Sequence, residues 1–96
     1  MKTYELEFAE DALKEWRKLG STLREQFRKK LAQRLTNPHV PSARLRELPD
    51  CYKIKLRSAG YRLVYQAQDD RLIVFVIAVG KCERNLVYKI AAGRLN

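Results

Sequence analysis

The sequence predicts an α+β fold in one small domain: an antiparallel sheet packed with an N-terminal helical hairpin and a C-terminal helix. Three observations carry this. Apolar and charged side chains alternate in steps of two over 3–8 and again from Tyr52 to Arg57. Between them, 10–35 places apolar residues three and four apart, the helical spacing. Residues 71–79 form an almost continuous Val- and Ile-rich run, as a strand covered on both faces requires. At 96 residues the chain is long enough for one domain with a modest core.

Each element follows in order. In 3–8, Tyr4, Leu6 and Phe8 fall on one face and Glu5 and Glu7 on the other. Residues 10–19 read as a short helix with Ala12, Leu13, Trp16 and Leu19 on one side and Gly20 as its stop. A second helix follows at once, opened by a Thr22/Glu25 capping box with Ser21 as a competing cap. Its buried stripe is Leu23, Phe27, Leu31 and Leu35, and Asn37-Pro38 ends it. The short connection predicts an antiparallel pair covering one sheet face. A linker with Pro38, Pro41 and Pro49 leads to a strand with Tyr52, Ile54 and Leu56 inward and Lys53, Lys55 and Arg57 outward. Ser58-Ala59-Gly60 is a hairpin turn, Tyr61–Gln68 the return strand and Asp69-Asp70 the next turn. The central strand, 71–79, is ended by Gly80, and a last helix spans 84–94. No internal repeat is present.

Composition excludes several classes. The ordinary, patterned apolar fraction of 46% argues against disorder. The longest apolar run, Leu72 to Val79, is far short of the roughly 20 residues of a membrane span. The opening residues lack a charged-then-apolar leader, so a cytoplasmic protein is expected. Cys51 and Cys82 are expected to be reduced thiols.

The chain carries 20 Lys and Arg against 11 Asp and Glu, a net charge of +9. The excess is uneven: residues 51–66 hold Lys53, Lys55, Arg57 and Arg62 and no carboxylate. Such a block repels itself, and a polyanion that releases counterions on binding is its natural complement. An acidic protein segment is a second possible partner. Lys53 and Lys55 share a strand face, Arg57 continues the row, and Arg62 joins it if the hairpin register allows. Arg84 and Tyr88 follow the central strand, where they can cover the same patch, and Tyr88 can stack on a base.

The chemistry is narrowed by what is missing. The one histidine, His39, sits in a proline-flanked loop and reads as a surface residue. The acids are scattered, with neither a metal-nuclease cluster nor a phosphate-binding glycine loop, so no metal and no cofactor is expected. Nucleic-acid cleavage by such a chain falls to Lys, Arg and Tyr. RNA is then the feasible substrate, because its own 2′-OH attacks the adjacent phosphorus. Crowded cations depress a lysine pKa, which suits Lys53 or Lys55 to act as a base.

The stretches Ala12–Gly20, Leu48–Arg57, Gly60–Tyr65 and Phe75–Lys81 strongly resemble the RelE toxins of the RelBE toxin–antitoxin family, and the resemblance spans nearly the whole chain. It implies a microbial-ribonuclease-like fold and endoribonuclease cleavage of mRNA in the ribosomal A site, leaving a 2′,3′-cyclic phosphate and a 5′-OH. Position by position it implies Lys53 as general base, Lys55 and Arg62 as holders of the scissile phosphate, and Tyr88 as the residue that stacks on and orients the RNA. Arg57, Lys81 and Arg84 are the further cations expected on RNA. The family's best-known member has an arginine, proposed to assist the leaving 5′-oxygen, where this chain has Cys82. A thiol cannot replace a guanidinium clamp, although Lys81 or Arg84 can compensate, so reduced rather than absent activity is expected. The resemblance also implies a RelB-like antitoxin, contacts with ribosomal RNA, and operator DNA reached only through the antitoxin. Two other readings stay open: a catalytically weakened binding module serving as antitoxin partner or co-repressor, and a basic RNA-binding domain acting off the ribosome.

Overall fold

The computed structural model describes residues 3–81 and 86–95. Its elements are β1 (Glu5–Phe8), α1 (Glu10–Lys18), α2 (Ser21–Thr36), a 3₁₀ turn (Pro41–Ala43), β2 (Cys51–Leu56), β3 (Tyr61–Gln68), β4 (Ile73–Lys81) and α3 (Leu86–Leu95). The strands form one sheet in the order β1-β4-β3-β2. The meander β2-β3-β4 is antiparallel, as the short turns require. β1 pairs with β4 in parallel, so the sheet is mixed rather than wholly antiparallel. The helix pair between β1 and the meander returns the chain on the far side, a crossover that antiparallel pairing does not need.

The two faces are covered differently. Tyr4, Leu6 and Phe8 of the β1 region pack with Ala12, Trp16, Leu19, Phe27 and Leu31 over Tyr52, Ile54, Leu63, Tyr65 and Val76. Trp16 sits between Phe8 and Phe27, at ring-centroid distances of 5.2 and 6.3 Å. Both helices therefore cover one face, α1 chiefly on β4 and α2 on β2, and each touches the sheet more than its partner helix. On the other face Val87 and Ala91 of α3 pack on Cys51, Val64, Ile77 and Ala78.

Several local expectations change. α2 begins at Ser21 with Gly20 as its cap residue, and no side chain caps it. The helix begins two residues earlier than a Thr22 cap requires, so Thr22 lies within its first turn. Gly20 itself is at φ −64°, so it does not end α1 through the left-handed region. Gly60, at φ +69°, does make the β2–β3 turn. Leu72, at φ 54°, belongs to the β3–β4 turn. β4 then runs through Gly80, which pairs with Arg62 inside the sheet. No described helix is long and apolar enough to cross a membrane.

Candidate nucleic-acid interface

Strand alternation builds the site. Tyr52, Ile54 and Leu56 point into the helix-covered core, so Lys53 and Lys55 stand on the α3 face of β2. The register answers the question left open for Arg62: it lies directly opposite Lys55, and Gly80 lies opposite Arg62 on the other side. Directly opposite residues share a face, so Arg62 joins the row. With no side chain, Gly80 leaves the space beside Arg62 open. Like charges directly opposite each other cost about 0.2–1 kcal/mol. No carboxylate among the described residues pairs with either cation, nor with Lys53 or Arg57.

The electrostatic consequence shows at Lys55. The Lys53 ammonium, with a hydrogen bond from the same side chain and further repulsion from Arg62 and Arg57, holds Lys55 below the ordinary lysine pKa. Arg62 is half-buried. Its Nη1 donates to the Tyr61 carbonyl at 3.1 Å, while its buried Nε has no hydrogen-bond partner among the described residues. A buried donor left unmade costs about 1–3 kcal/mol.

A groove of about 520 Å³ opens beside this row, lined by Lys55, Arg57 and Ser58 on one wall and by Gln26, Lys29 and Lys30 of α2 on the other. Lys29 and Lys30 were not singled out by sequence. Their helix reads as an apolar stripe with an ordinary charged back, and only the docking of α2 on β2 turns that back toward Arg57. Acidic residues gather at the far side: Glu5 and Glu7 are exposed on β1, and Glu10 and Asp11 open α1. Because β1 and β2 are opposite edges of the sheet, the molecule is polarised across its width.

The remaining expected residues are placed less uniformly. Tyr88 packs on the α3-face core and lines a second groove with Leu48, Pro49 and Gln66, at the Cys51 end of β2. Lys81 is exposed, but it pairs with Tyr61 rather than Arg62, so alternation sets it on the opposite face from the row. Arg84 and Cys82 lie outside the described residues. Cys51 is a free, buried thiol whose pKa burial pushes up to about 11. It is inert packing at neutral pH.

His39 departs from its reading as a surface residue. It is half-buried, with Nδ1 2.7 Å from the Tyr52 hydroxyl and Nε2 2.7 Å from Asp69 Oδ1. The Tyr4 hydroxyl also donates to Asp69 at 2.6 Å, which raises the tyrosine pKa to about 12 and lowers that of Asp69. Tyr65 stacks on Tyr52 and donates to the Pro38 carbonyl at 2.6 Å. Arg34 Nη1 donates to the Tyr65 hydroxyl at 2.9 Å and to the Lys53 carbonyl at 3.3 Å. The histidine thus belongs to a polar network that ties the proline-rich linker and α2 to the edge strand carrying Lys53.

A small α+β domain that turns a row of cations outward from a sheet, without ion pairs among the described residues, presents a surface suited to a polyanion. The comparisons make the class definite. Residues 6–86 match the ParE toxin family of type II toxin–antitoxin systems, described for parDE. More particularly, the chain belongs to the RelE toxins. It is 61% identical over 92 residues to the mRNA interferase toxin RelE of Escherichia coli strain K12, covering 96% of this chain and 97% of that protein. A mutant E. coli toxin RelE in the free state superposes with a TM-score of 0.90 at 58% identity, covering 98% of this chain and 99% of the other. The toxin in the intact E. coli RelBE toxin–antitoxin complex gives a TM-score of 0.82 at 64% identity, with 84% of this chain and 99% of the other covered.

Proposed function

We propose that this chain is a ribosome-dependent mRNA endoribonuclease that cleaves in the ribosomal A site and thereby stops translation. The observation that carries the reading is the unpaired row on the α3 face: Lys53 and Lys55 on one strand, with Arg62 opposite Lys55 and a buried guanidinium nitrogen unsatisfied. Family membership supports the substrate, since the E. coli relative is an mRNA interferase.

In this reading Lys53 takes the proton of the RNA 2′-OH as it attacks the adjacent phosphorus. Lys55 and Arg62 hold the phosphoryl oxygens and gain attraction as charge builds there, so they favour the transition state over the ground state. The bond to the 5′-oxygen breaks, that oxygen takes up a proton, and a 2′,3′-cyclic phosphate and a 5′-OH result. No metal is needed for any of these steps. Tyr88 orients the RNA by stacking. Arg57, with Lys29 and Lys30 across the groove, tracks the backbone beyond the scissile phosphate, and Lys81 and Arg84 are further cations that contact RNA, Lys81 from the opposite face. A RelB-like antitoxin covers this surface in the cytoplasm and carries the pair to operator DNA, a partner suggested by the toxin–antitoxin complex of the E. coli relative.

The test is primer extension on a defined messenger, with purified protein and ribosomes holding an empty A site. Cleavage only with ribosomes is the expected result. A folded protein that leaves the messenger intact in both settings would overturn the nuclease reading in favour of a binding module weakened at Cys82.

A further inference from the structure

β1 stops early. Its last residue, Phe8, pairs with Val76, and the Ala9 amide closes the ladder on the Val76 carbonyl at 2.8 Å. β4 continues to Lys81, so backbone groups beyond Val76 lack a strand on that side. Two side chains meet them. Glu15 of α1 accepts the Val79 amide at 3.1 Å, and Arg94 of α3 donates to the Ile77 carbonyl at 2.7 Å. The same two side chains join each other in a two-pronged pair, Nη1–Oε1 at 2.9 Å and Nη2–Oε2 at 3.0 Å, with Asp11 4.0 Å from the Arg94 Nε. Both are well shielded, with side-chain exposures of 23% for Arg94 and 29% for Glu15. Such a fork is the strongest form of carboxylate–guanidinium contact, and lysine cannot reproduce it.

α3 buries Val87 and Ala91 fully on the sheet, with Tyr88, Ile90 and Leu95 partly buried against the same core. Tyr88 sits on the same short helix, and its aim depends on how the helix is seated.

We propose that Glu15 and Arg94 form a clamp that takes the place of a continued β1 and seats α3, making both of them positioning residues for RNA cleavage through Tyr88. The link to cleavage rests on the nuclease reading above; the seating of α3 does not. The clamp joins the first helix to the last across the edge of the central strand, so the two ends of the chain set the geometry of a site made in its middle.

The experiment measures two things on the full chain: amide hydrogen exchange along α3, with β3 as internal reference, and single-turnover cleavage on ribosomes. In Arg94→Ala, exchange in α3 should accelerate by about tenfold or more while β3 is unchanged. The saturating cleavage rate should fall about 10- to 100-fold, with little change in the protein concentration giving half-maximal rate, because the cation row is untouched. Arg94→Lys keeps the charge without the fork and should fall between wild type and Arg94→Ala in both measurements. Introduced into Tyr88→Ala, Arg94→Ala should cause no further loss, since both changes act through one group. Unchanged exchange in α3, or a full additional loss in the Tyr88→Ala background, would overturn the proposal. If Arg94→Ala loosens β3 as well, Arg94→Lys decides by the same readouts. If wild type does not cleave, the nuclease reading falls and exchange in α3 alone judges the clamp.

Discussion

The two faces of the sheet carry different side chains, the apolar core on one and the cation row on the other. The face under α1 and α2 is densely apolar, with Phe27, Leu63 and Tyr65 fully buried. On the α3 face the short helix packs on Val64, Ile77 and Ala78. The same face carries Lys53, Lys55 and Arg62. Alternate residues of the same strands supply the two faces, so Ile54 anchors the strand that presents Lys53 and Lys55. A cation row that repels itself is affordable because the opposite face holds the sheet in place.

The sharpest way to break this division is to damage each face in turn. Phe27→Ala opens a cavity in the covered face and should cost about 3–5 kcal/mol in chemical denaturation. Cleavage should fall only in proportion to the folded fraction. Arg62→Ala should do the reverse, lowering ribosome-dependent cleavage about 10²–10³-fold with the melting temperature unchanged or raised. Cleavage at the wild-type rate by a folded Lys53→Ala/Arg62→Ala variant would refute the site. A finer test is Lys55→Met, which removes the like-charge pair with Arg62. It should raise stability slightly while slowing cleavage, a trade between stability and function within one side chain.

Two titrations sharpen the contrast further. Lys55 is held low by its cationic neighbours. A bound phosphodiester favours the charged amine, so its pKa should rise when a non-cleavable 2′-deoxy oligonucleotide is added, as read by NMR of the lysine side chain. A value that does not move would mean that the row is not the phosphate site. At the linker, Tyr4 and then His39 hold the Asp69 pKa below its usual 3.8. A depressed carboxylate stabilises the fold above its unfolded pKa, and that contribution is lost as pH falls through the folded value. Wild type should therefore lose stability below about pH 4 more steeply than Asp69→Asn. Smallest of all, Tyr88→Phe keeps the stacking ring and should lower cleavage only modestly, whereas Tyr88→Ala removes it at a cost of about 1–3 kcal/mol in RNA interaction.

Much of this molecule is determined by local sequence. Alternation from Tyr52 to Arg57 sets which side chains face the core and which face out, because the period of a strand is two. The apolar run ending at Val79 marks β4 as central, and it is flanked by β1 and β3. Gly60 sets the hairpin turn through its positive φ. The cation row is therefore legible before any fold is known. Other features depend on contacts between residues distant in the chain. Whether Arg62 stands with Lys55 is a matter of register, which the turn and the pleat decide together. The parallel seat of β1 beside β4 is a tertiary choice, made by the helix pair that crosses from one to the other. Lys29 and Lys30 reach the groove only because α2 docks on β2, and His39, still partly exposed, gains its partners because Tyr52 of β2 and Asp69 of the β3–β4 turn are brought to it. The meeting of Glu15 and Arg94 has no local signal at all. An isolated carboxylate and an isolated arginine look like ordinary helix surface until β1 ends short and leaves the edge of β4 for them to close.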